Sequence, residues 1–228
     1  MAEFERASMH DGSLFFALAE DLKTPLIRIA YQAELSEAED IRTTAVDALK
    51  LLDAYLLSTA AQKSFELEPV NPGAILVDTA HELSAHAKRY DCELQVHANA
   101  MPATVLVHRQ ALQTALSAIG RVFIEAQSVL GGTRQIELAS YRTTAGVAVG
   151  IFQDKDSSSI NAQLLSRARS HLGIAARPFA GLASGAAAQL FIAEQLLLGM
   201  QAPLRAAHRG TMSGLAADFL SSDQLQLV

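Results

Sequence analysis

Apolar residues near the start of the chain recur in steps of three and four, which is the pattern of an amphipathic α-helix. These positions are Phe15, Leu18, Leu22, Leu26, Ile29 and Ala33. Pro25 lies inside the pattern and predicts a kink, because proline removes a backbone hydrogen bond from a helix. We therefore expect a first helix with one apolar face.

A second helix is expected after Ser36, which forms a capping-box pattern with Glu39. Its apolar face comprises Ile41, Ala45, Leu49, Leu52, Leu56 and Ala60. Because the intervening turn is short, the two helices should form an antiparallel hairpin. One face of such a hairpin is uncovered. We expect a second copy to cover it, giving a four-helix bundle in a homodimer; the alternative is that the rest of the chain covers it.

The rest of the chain alternates between helical and strand patterns. The stretch 66–72 breaks both helical patterns, and Asn71 followed by Pro72 predicts the start of a new helix. We expect domains at 1–66 and 67–228, and an α+β fold in which a helical hairpin precedes an α/β sandwich. Further helices are predicted at 72–90, 109–129, 162–171 and 185–198, and strands at 92–98, 134–142, 146–152, 204–208 and 212–220; a short apolar piece at 105–107 leads into the helix at 109–129.

The charge and composition of the chain disfavour several classes of function. The net charge is -6 and the scattered basic residues form no run, which disfavours binding to nucleic acid or an anionic membrane. The sequence has no apolar stretch long enough for a transmembrane helix and no signal-peptide pattern at its start. The single cysteine, Cys92, cannot form an internal disulfide. We therefore expect a cytoplasmic protein that binds no nucleic acid and does not insert into membranes.

One motif connects these elements to a known family. Residues 20–26 are Glu-Asp-Leu-Lys-Thr-Pro-Leu, which resembles the H-box H-E-L-R-T-P-L of bacterial sensor histidine kinases. The motif lies on the first helix of the predicted hairpin, as in that family, and residues 67–70 resemble the family's interdomain link. The resemblance implies a HisKA-type dimerisation hairpin followed by a Bergerat-type ATPase domain of the GHKL class. It also implies a response regulator receiver domain, or a related histidine kinase, as partner.

The sequence departs from the family at the residues that carry out phosphorylation. Glu20 occupies the position of the phospho-acceptor histidine, and a carboxylate cannot replace the attacking imidazole nitrogen. When residues 112–116 are aligned with the N-box helix, Ala118 and Val122 fall at the two asparagine positions. Neither side chain has an oxygen that could coordinate magnesium.

The two glycine-rich boxes are also altered. The segment resembling D-x-G-x-G is 154–158, which retains Asp154 and lacks both glycines, and the last box at 185–190 retains only Gly185. Asp154 and Gly185 would thus be remnants of a degenerate nucleotide site that no longer holds ATP or Mg²⁺. The resemblance then implies a pseudokinase that acts as a dimeric scaffold.

One functional motif of the family is retained. Asp21 and Thr24 match its E/D-x-x-T/N phosphatase motif and lie one helical turn apart. They could orient water for attack on a receiver's aspartyl phosphate without ATP, or they could be ordinary residues of the helix surface. Glu20 could also imitate phosphohistidine, although one charge is a weak copy of a phosphoryl group. A histidine phosphotransferase is a further alternative, which the missing acceptor histidine disfavours.

A metal site at His81 and His86 is not expected. The two histidines are five residues apart, so their imidazoles diverge by about 140° around a helix instead of sharing one face.

Overall fold

A computed structural model provides the coordinates. It describes residues 65–98, 104–127, 135–144, 146–154 and 186–221, together with Leu165 and single positions between 22 and 58. The described segments contain three helices and seven strands in α+β order. The helices are α1 (Pro72–Arg89), α2 (Arg109–Gln127) and α3 (Ala186–Gly199), and the strands are β1 (Glu68–Val70), β2 (Glu93–His97), β3 (Val105–Val107), β4 (Gln135–Thr143), β5 (Gly146–Asp154), β6 (Arg205–Arg209) and β7 (Met212–Phe219).

These elements confirm the helices predicted at 72–90, 109–129 and 185–198 and the five predicted strands, with ends that differ by at most two residues, and the short apolar piece at 105–107 forms β3. Strand β1 was not predicted, since the stretch 66–72 was taken as a break between domains. Of the helix predicted at 162–171, only Leu165 is described, and it is helical.

Five strands form a mixed sheet in the order β2-β4-β5-β7-β6. Strand β2 pairs with β4 in parallel, whereas every other pairing in this sheet is antiparallel. Strands β1 and β3 form a separate antiparallel pair. The parallel pair requires a crossover, and α2 supplies it because it lies in the chain between β2 and β4.

Two of the helices begin at polar caps that the sequence provides. The Asn71 side chain accepts a hydrogen bond from the Gly73 amide at 2.8 Å, and Pro72 follows as the first helical residue of α1. At the start of α2, His108 Nδ1 accepts a hydrogen bond from the Ala111 amide at 3.2 Å. Each cap provides a hydrogen-bond acceptor for a backbone amide that would have no partner within its helix.

The helices pack on one face of the sheet and enclose the main core. Strand residues with even spacing, such as Val147, Val149 and Ile151, face α2, and the largest buried side chains include Phe123 and Leu83. Helix α2 contacts α1, α3 and β5, and it is buried around most of its circumference. An apolar helix enclosed in this way is the structural centre of the domain.

The opposite face of the sheet carries a smaller cluster around Phe152, whose ring lies 6.0 Å from that of Tyr141. At its edge, Arg205 donates two hydrogen bonds to the Asp218 carboxylate, at 2.5 and 2.8 Å. The hydrogen bond from Arg205 lowers the pKa of Asp218 below its usual value of 3.8, against the opposing effect of burial. This bidentate pair joins β6 to β7.

The described positions between 22 and 58 all lie in helices. Ala54 belongs to the main core, and Leu51 and Leu57 pack against it, so the described helical positions between 48 and 58, called segment 48–58 below, contact the α/β domain. The connection of the predicted hairpin and the apolar faces of both its helices lie mostly outside the described residues. No described helix is long and apolar enough to cross a membrane.

The close approach of β5 and β7 depends on Gly214, which pairs with Phe152. A Cβ atom at this position would overlap the carbonyl oxygen of Ile151 and lie 2.7 Å from Phe152 Cα. We expect Gly214→Ala to lower the free energy of unfolding by about 1–3 kcal/mol, because backbone atoms must move. Urea denaturation measures this change. Gly210→Asn is the control: the turn has φ 59° and open space around Gly210, so the change should be within about 0.5 kcal/mol.

The Arg205–Asp218 pair predicts a pH-dependent contribution to stability. Because folding lowers the pKa of Asp218, the stabilisation is present above 3.8 and is lost as the pH falls through the lower pKa of the folded state. Asp218→Asn should reduce the free energy of unfolding by about 0.5–1 kcal/mol at neutral pH, as for a partly exposed ion pair. The difference from the unmodified protein should shrink in urea titrations at acid pH. A difference that stays constant with pH would mean that the carboxylate charge contributes nothing.

Candidate functional site

The structure describes part of the site predicted from the sequence. Glu20, Asp21, Thr24 and Gly185 lie outside the described residues. Asp154 and the two positions aligned with the N-box asparagines, Ala118 and Val122, are described. The geometry therefore bears on the nucleotide end of the predicted site.

Ala118 and Val122 lie one turn apart on α2 and belong to the main core, with exposures of 9% and 0%. A side chain that binds a hydrated magnesium ion must present an oxygen to solvent or to phosphate. These two positions present methyl groups to neighbouring apolar side chains. The residues present here therefore do not fit a magnesium ion.

The end of β5 shows which residue faces the helices. Ile151 points into the main core, Phe152 into the cluster on the opposite face, and Gln153 back towards α2, where its Oε1 accepts a hydrogen bond from Gln127 Nε2 at 2.7 Å. Strand alternation therefore places Asp154 on the face opposite to Gln153. Its cross-strand partner is Met212, which packs against the cluster around Phe152.

The helix-facing position at this strand end thus carries a neutral amide. Gln127 and Gln153 are both fully buried, and Gln127 Oε1 has no hydrogen-bond partner among the described residues. The sequence analysis predicted neither Gln127 nor Gln153 as a site residue, because Asp154 matches the aspartate of the D-x-G-x-G motif. The alternation of Val147, Val149 and Ile151 was the signal that could have identified position 153.

Helix α3 begins at Ala186, next to the single glycine retained from the last box. Ala186 and Ala188 are each 1% exposed, so methyl groups pack against the core in its first turn. A phosphate bound at a helix start needs close access to backbone amides. The alanines restrict that access on the side that faces the core.

A cavity of about 520 Å³ lies at the other end of α2. Its lining residues are Glu66, Leu67, Glu68, His108, Arg109, Gln110 and Gln113. The cavity and the Gln127–Gln153 pair are at opposite ends of a helix that is about 27 Å long. This cavity is therefore separate from the predicted nucleotide site.

The two histidines of α1 occupy different environments. His81 is exposed, whereas His86 is buried, with Nε2 3.3 Å from a carboxylate oxygen of Glu125. No group of three or more potential metal ligands occurs among the described residues. His86 is accordingly placed as part of an internal contact between α1 and α2.

Searches by sequence gave no match to a family model or to a curated protein. Similarity is found with solved structures. The histidine kinase AdeS of Acinetobacter baumannii gives a TM-score of 0.57 at 11% identity, with 89% of this chain and 97% of that chain covered. The histidine kinase ThkA, in complex with the response regulator TrrA, gives 0.59 at 12% identity, with 96% of this chain and 64% of that chain covered.

The catalytic domain of ThkA alone gives a TM-score of 0.51 at 11% identity, covering 69% of this chain and 97% of that chain. Identities this low establish the fold and nothing finer. The chain has the fold of a histidine kinase catalytic domain.

Proposed function

We propose that this protein is a histidine-kinase-like component of two-component signalling that acts as a pseudokinase. In this proposal it is a dimeric scaffold that binds a response regulator receiver domain or another histidine kinase. The observation that carries the proposal is the combination of a histidine kinase fold with core residues, Ala118 and Val122, at the aligned magnesium-binding positions.

Phosphoryl transfer from ATP is catalysed mainly by positioning and by neutralising the charge of the phosphates. The two core positions on α2 provide no oxygen ligand for the metal that performs this task. The helix-facing end of β5 provides Gln153, a neutral group whose hydrogen bond to Gln127 would have to break to admit a ligand. Together with Glu20 at the acceptor position, these features support the loss of kinase chemistry and of its ATP–Mg²⁺ cofactor.

The geometry of segment 48–58 supports a homodimer. At 100° per residue, the face containing Leu51, Ala54 and Leu57 lies about 170° from the predicted apolar face that contains Leu49, Leu52 and Leu56. The α/β domain covers the first of these faces. The predicted apolar face is then left for the first helix of the predicted hairpin and for a second copy, as a four-helix bundle requires.

A receiver domain is the partner favoured by similarity, because ThkA occurs in complex with the response regulator TrrA. We place the docking surface around Glu20, Asp21 and Thr24 on the first predicted helix. The same residues support a second candidate function, an ATP-independent phosphatase. In that function Thr24 would orient water for attack on the receiver's aspartyl phosphate, and Asp21 would assist one turn away.

The pseudokinase proposal predicts that millimolar ATP with magnesium gives no calorimetric heat and no thermal shift. The physical reason is that, among the described residues, Ala118 and Val122 offer no oxygen ligand for a metal and the helix-facing end of β5 carries Gln153 instead of an acidic group. An active sensor kinase measured in parallel confirms that the assay detects binding. Micromolar affinity for ATP would contradict the proposal and would place a working nucleotide site in this chain.

The two candidate functions differ in the effect of Thr24→Ala on a phosphorylated receiver domain. The scaffold function predicts unchanged binding of the receiver and no acceleration of dephosphorylation by either protein. The phosphatase function predicts that the unmodified protein speeds the loss of phosphate and that Thr24→Ala abolishes this effect, since the hydroxyl orients the water.

Phosphate release and receiver binding should be measured on the same preparations. Thr24→Ser, which retains the hydroxyl, is the matched control and should keep most of any activity. If the unmodified protein and Thr24→Ala accelerate dephosphorylation equally, the phosphatase function is excluded.

A further inference from the structure

Three elements converge on the carboxylate of Glu82 in α1. Lys50 Nζ, from segment 48–58, lies 3.0 Å from Glu82 Oε1. On the other side, the Ser117 hydroxyl and the Gln113 amide of α2 donate hydrogen bonds to Oε2 at 2.9 and 3.4 Å. One carboxylate therefore holds together two helices of the α/β domain and a helical segment from outside it.

Apolar contacts surround this polar centre. Ala54 is 7% exposed within the main core, and Leu51 and Leu57 pack against that core. Ser58 is 4% exposed, whereas Asp53 is exposed. The contacting residues occupy an arc of about 120° on the segment, so one continuous helix face meets the domain.

The contacts of Glu82 favour the ionised form of its carboxyl. Burial raises the pKa of Glu82, but the hydrogen bond and the charge of Lys50, with the bonds from Ser117 and Gln113, lower it below its usual value of 4.5. The carboxylate is thus better stabilised in this contact than in water. The negative charge of Glu82 therefore favours a cationic side chain, here Lys50, at the facing position of segment 48–58.

We propose that α1 and α2 form a docking surface for segment 48–58 of the same chain, centred on Glu82, Gln113 and Ser117, and that this contact holds the segment and the α/β domain in one orientation. The inference does not rest on the proposed function. A protein that binds the Lys50 side of the segment must first displace the domain and must offer an anion to Lys50.

The length of the connection explains why the occupant comes from the same chain. Six residues, 59–64, separate Ser58 from Phe65. Phe65 is anchored by stacking on His108, with ring centroids 4.6 Å apart. A connection this short gives the segment a high effective concentration at the surface, which a second copy in solution does not match.

Hydrogen–deuterium exchange of the full chain tests the proposal, with Lys50→Glu as the main variant. Replacing attraction by repulsion should raise exchange in peptides that cover 48–58 by about fivefold, because the local opening becomes easier. Lys50→Met retains the aliphatic stem and should give a smaller increase in the same peptides. The reversed pair Lys50→Glu with Glu82→Lys should recover part of the lost protection.

Asp78→Asn is the matched control. Asp78 lies one turn before Glu82 on α1 and pairs with Arg109 of α2 at 2.7 Å, in an ion pair that does not include Lys50. This variant should leave exchange in 48–58 unchanged. Peptides from the centre of α2 report whether each variant keeps the fold, since they should remain protected throughout.

Two outcomes would overturn the proposal. If Lys50→Glu and Lys50→Met raise exchange in 48–58 no more than Asp78→Asn does, Glu82 does not hold the segment. If the difference in exchange between Lys50→Glu and the unmodified protein disappears on dilution, the Lys50 face docks on another copy. A difference that persists at every concentration supports docking within one chain, whereas an equal fall in protection of both proteins reports only the dimer proposed for the opposite face.

Discussion

The burial of α2 is the constraint on which the rest of the domain depends. This helix contacts α1, α3 and the sheet, and apolar residues surround most of it. Its polar contacts include a row near its start, Glu125 beside His86, and Gln127 at its end. The row at Arg109, Gln113 and Ser117 faces acidic residues of α1, and Gln127 meets the end of β5. A helix enclosed in this way fixes the register of its neighbours, since polar groups must find partners where they are buried.

The burial of α2 also bears on nucleotide binding. In a helix that borders a nucleotide, part of the surface must remain polar and accessible to phosphate and metal. Here Ala118 and Val122, the positions that we align with the metal ligands, are part of the core, and the amide pair of Gln127 and Gln153 joins the helix to β5. A polar side chain introduced at Ala118 or Val122 would lie among apolar neighbours without hydrogen-bond partners.

The sequence predicted the elements well where hydrophobic periodicity was strong. The three described helices and the five predicted strands followed from spacing and from the cap at Asn71, whereas the order of the strands in the sheet did not. Strand β1 was missed because it is three residues long and contains Pro69, so local preference opposes it. Gln153 was missed for a different reason. Asp154 matches the aspartate of the family motif, and that match favoured position 154, whereas the period-two pattern of β5 indicates position 153. The second contact face of segment 48–58 could not be predicted, because Ala54 and Ser58 are buried only through tertiary contacts.

The contact between segment 48–58 and the helices also has a consequence for how the protein is made. The segment leaves the ribosome before α1 and α2, whose residues Glu82, Gln113 and Ser117 complete its surface. During synthesis, at about 5–20 residues per second, the segment must wait for roughly sixty further residues before its docked face can be covered. Its apolar residues are open to chaperones during that interval, while its opposite face can already meet a neighbouring nascent chain. In the proposed homodimer, the contact between the two copies can therefore form before the α/β domain has folded.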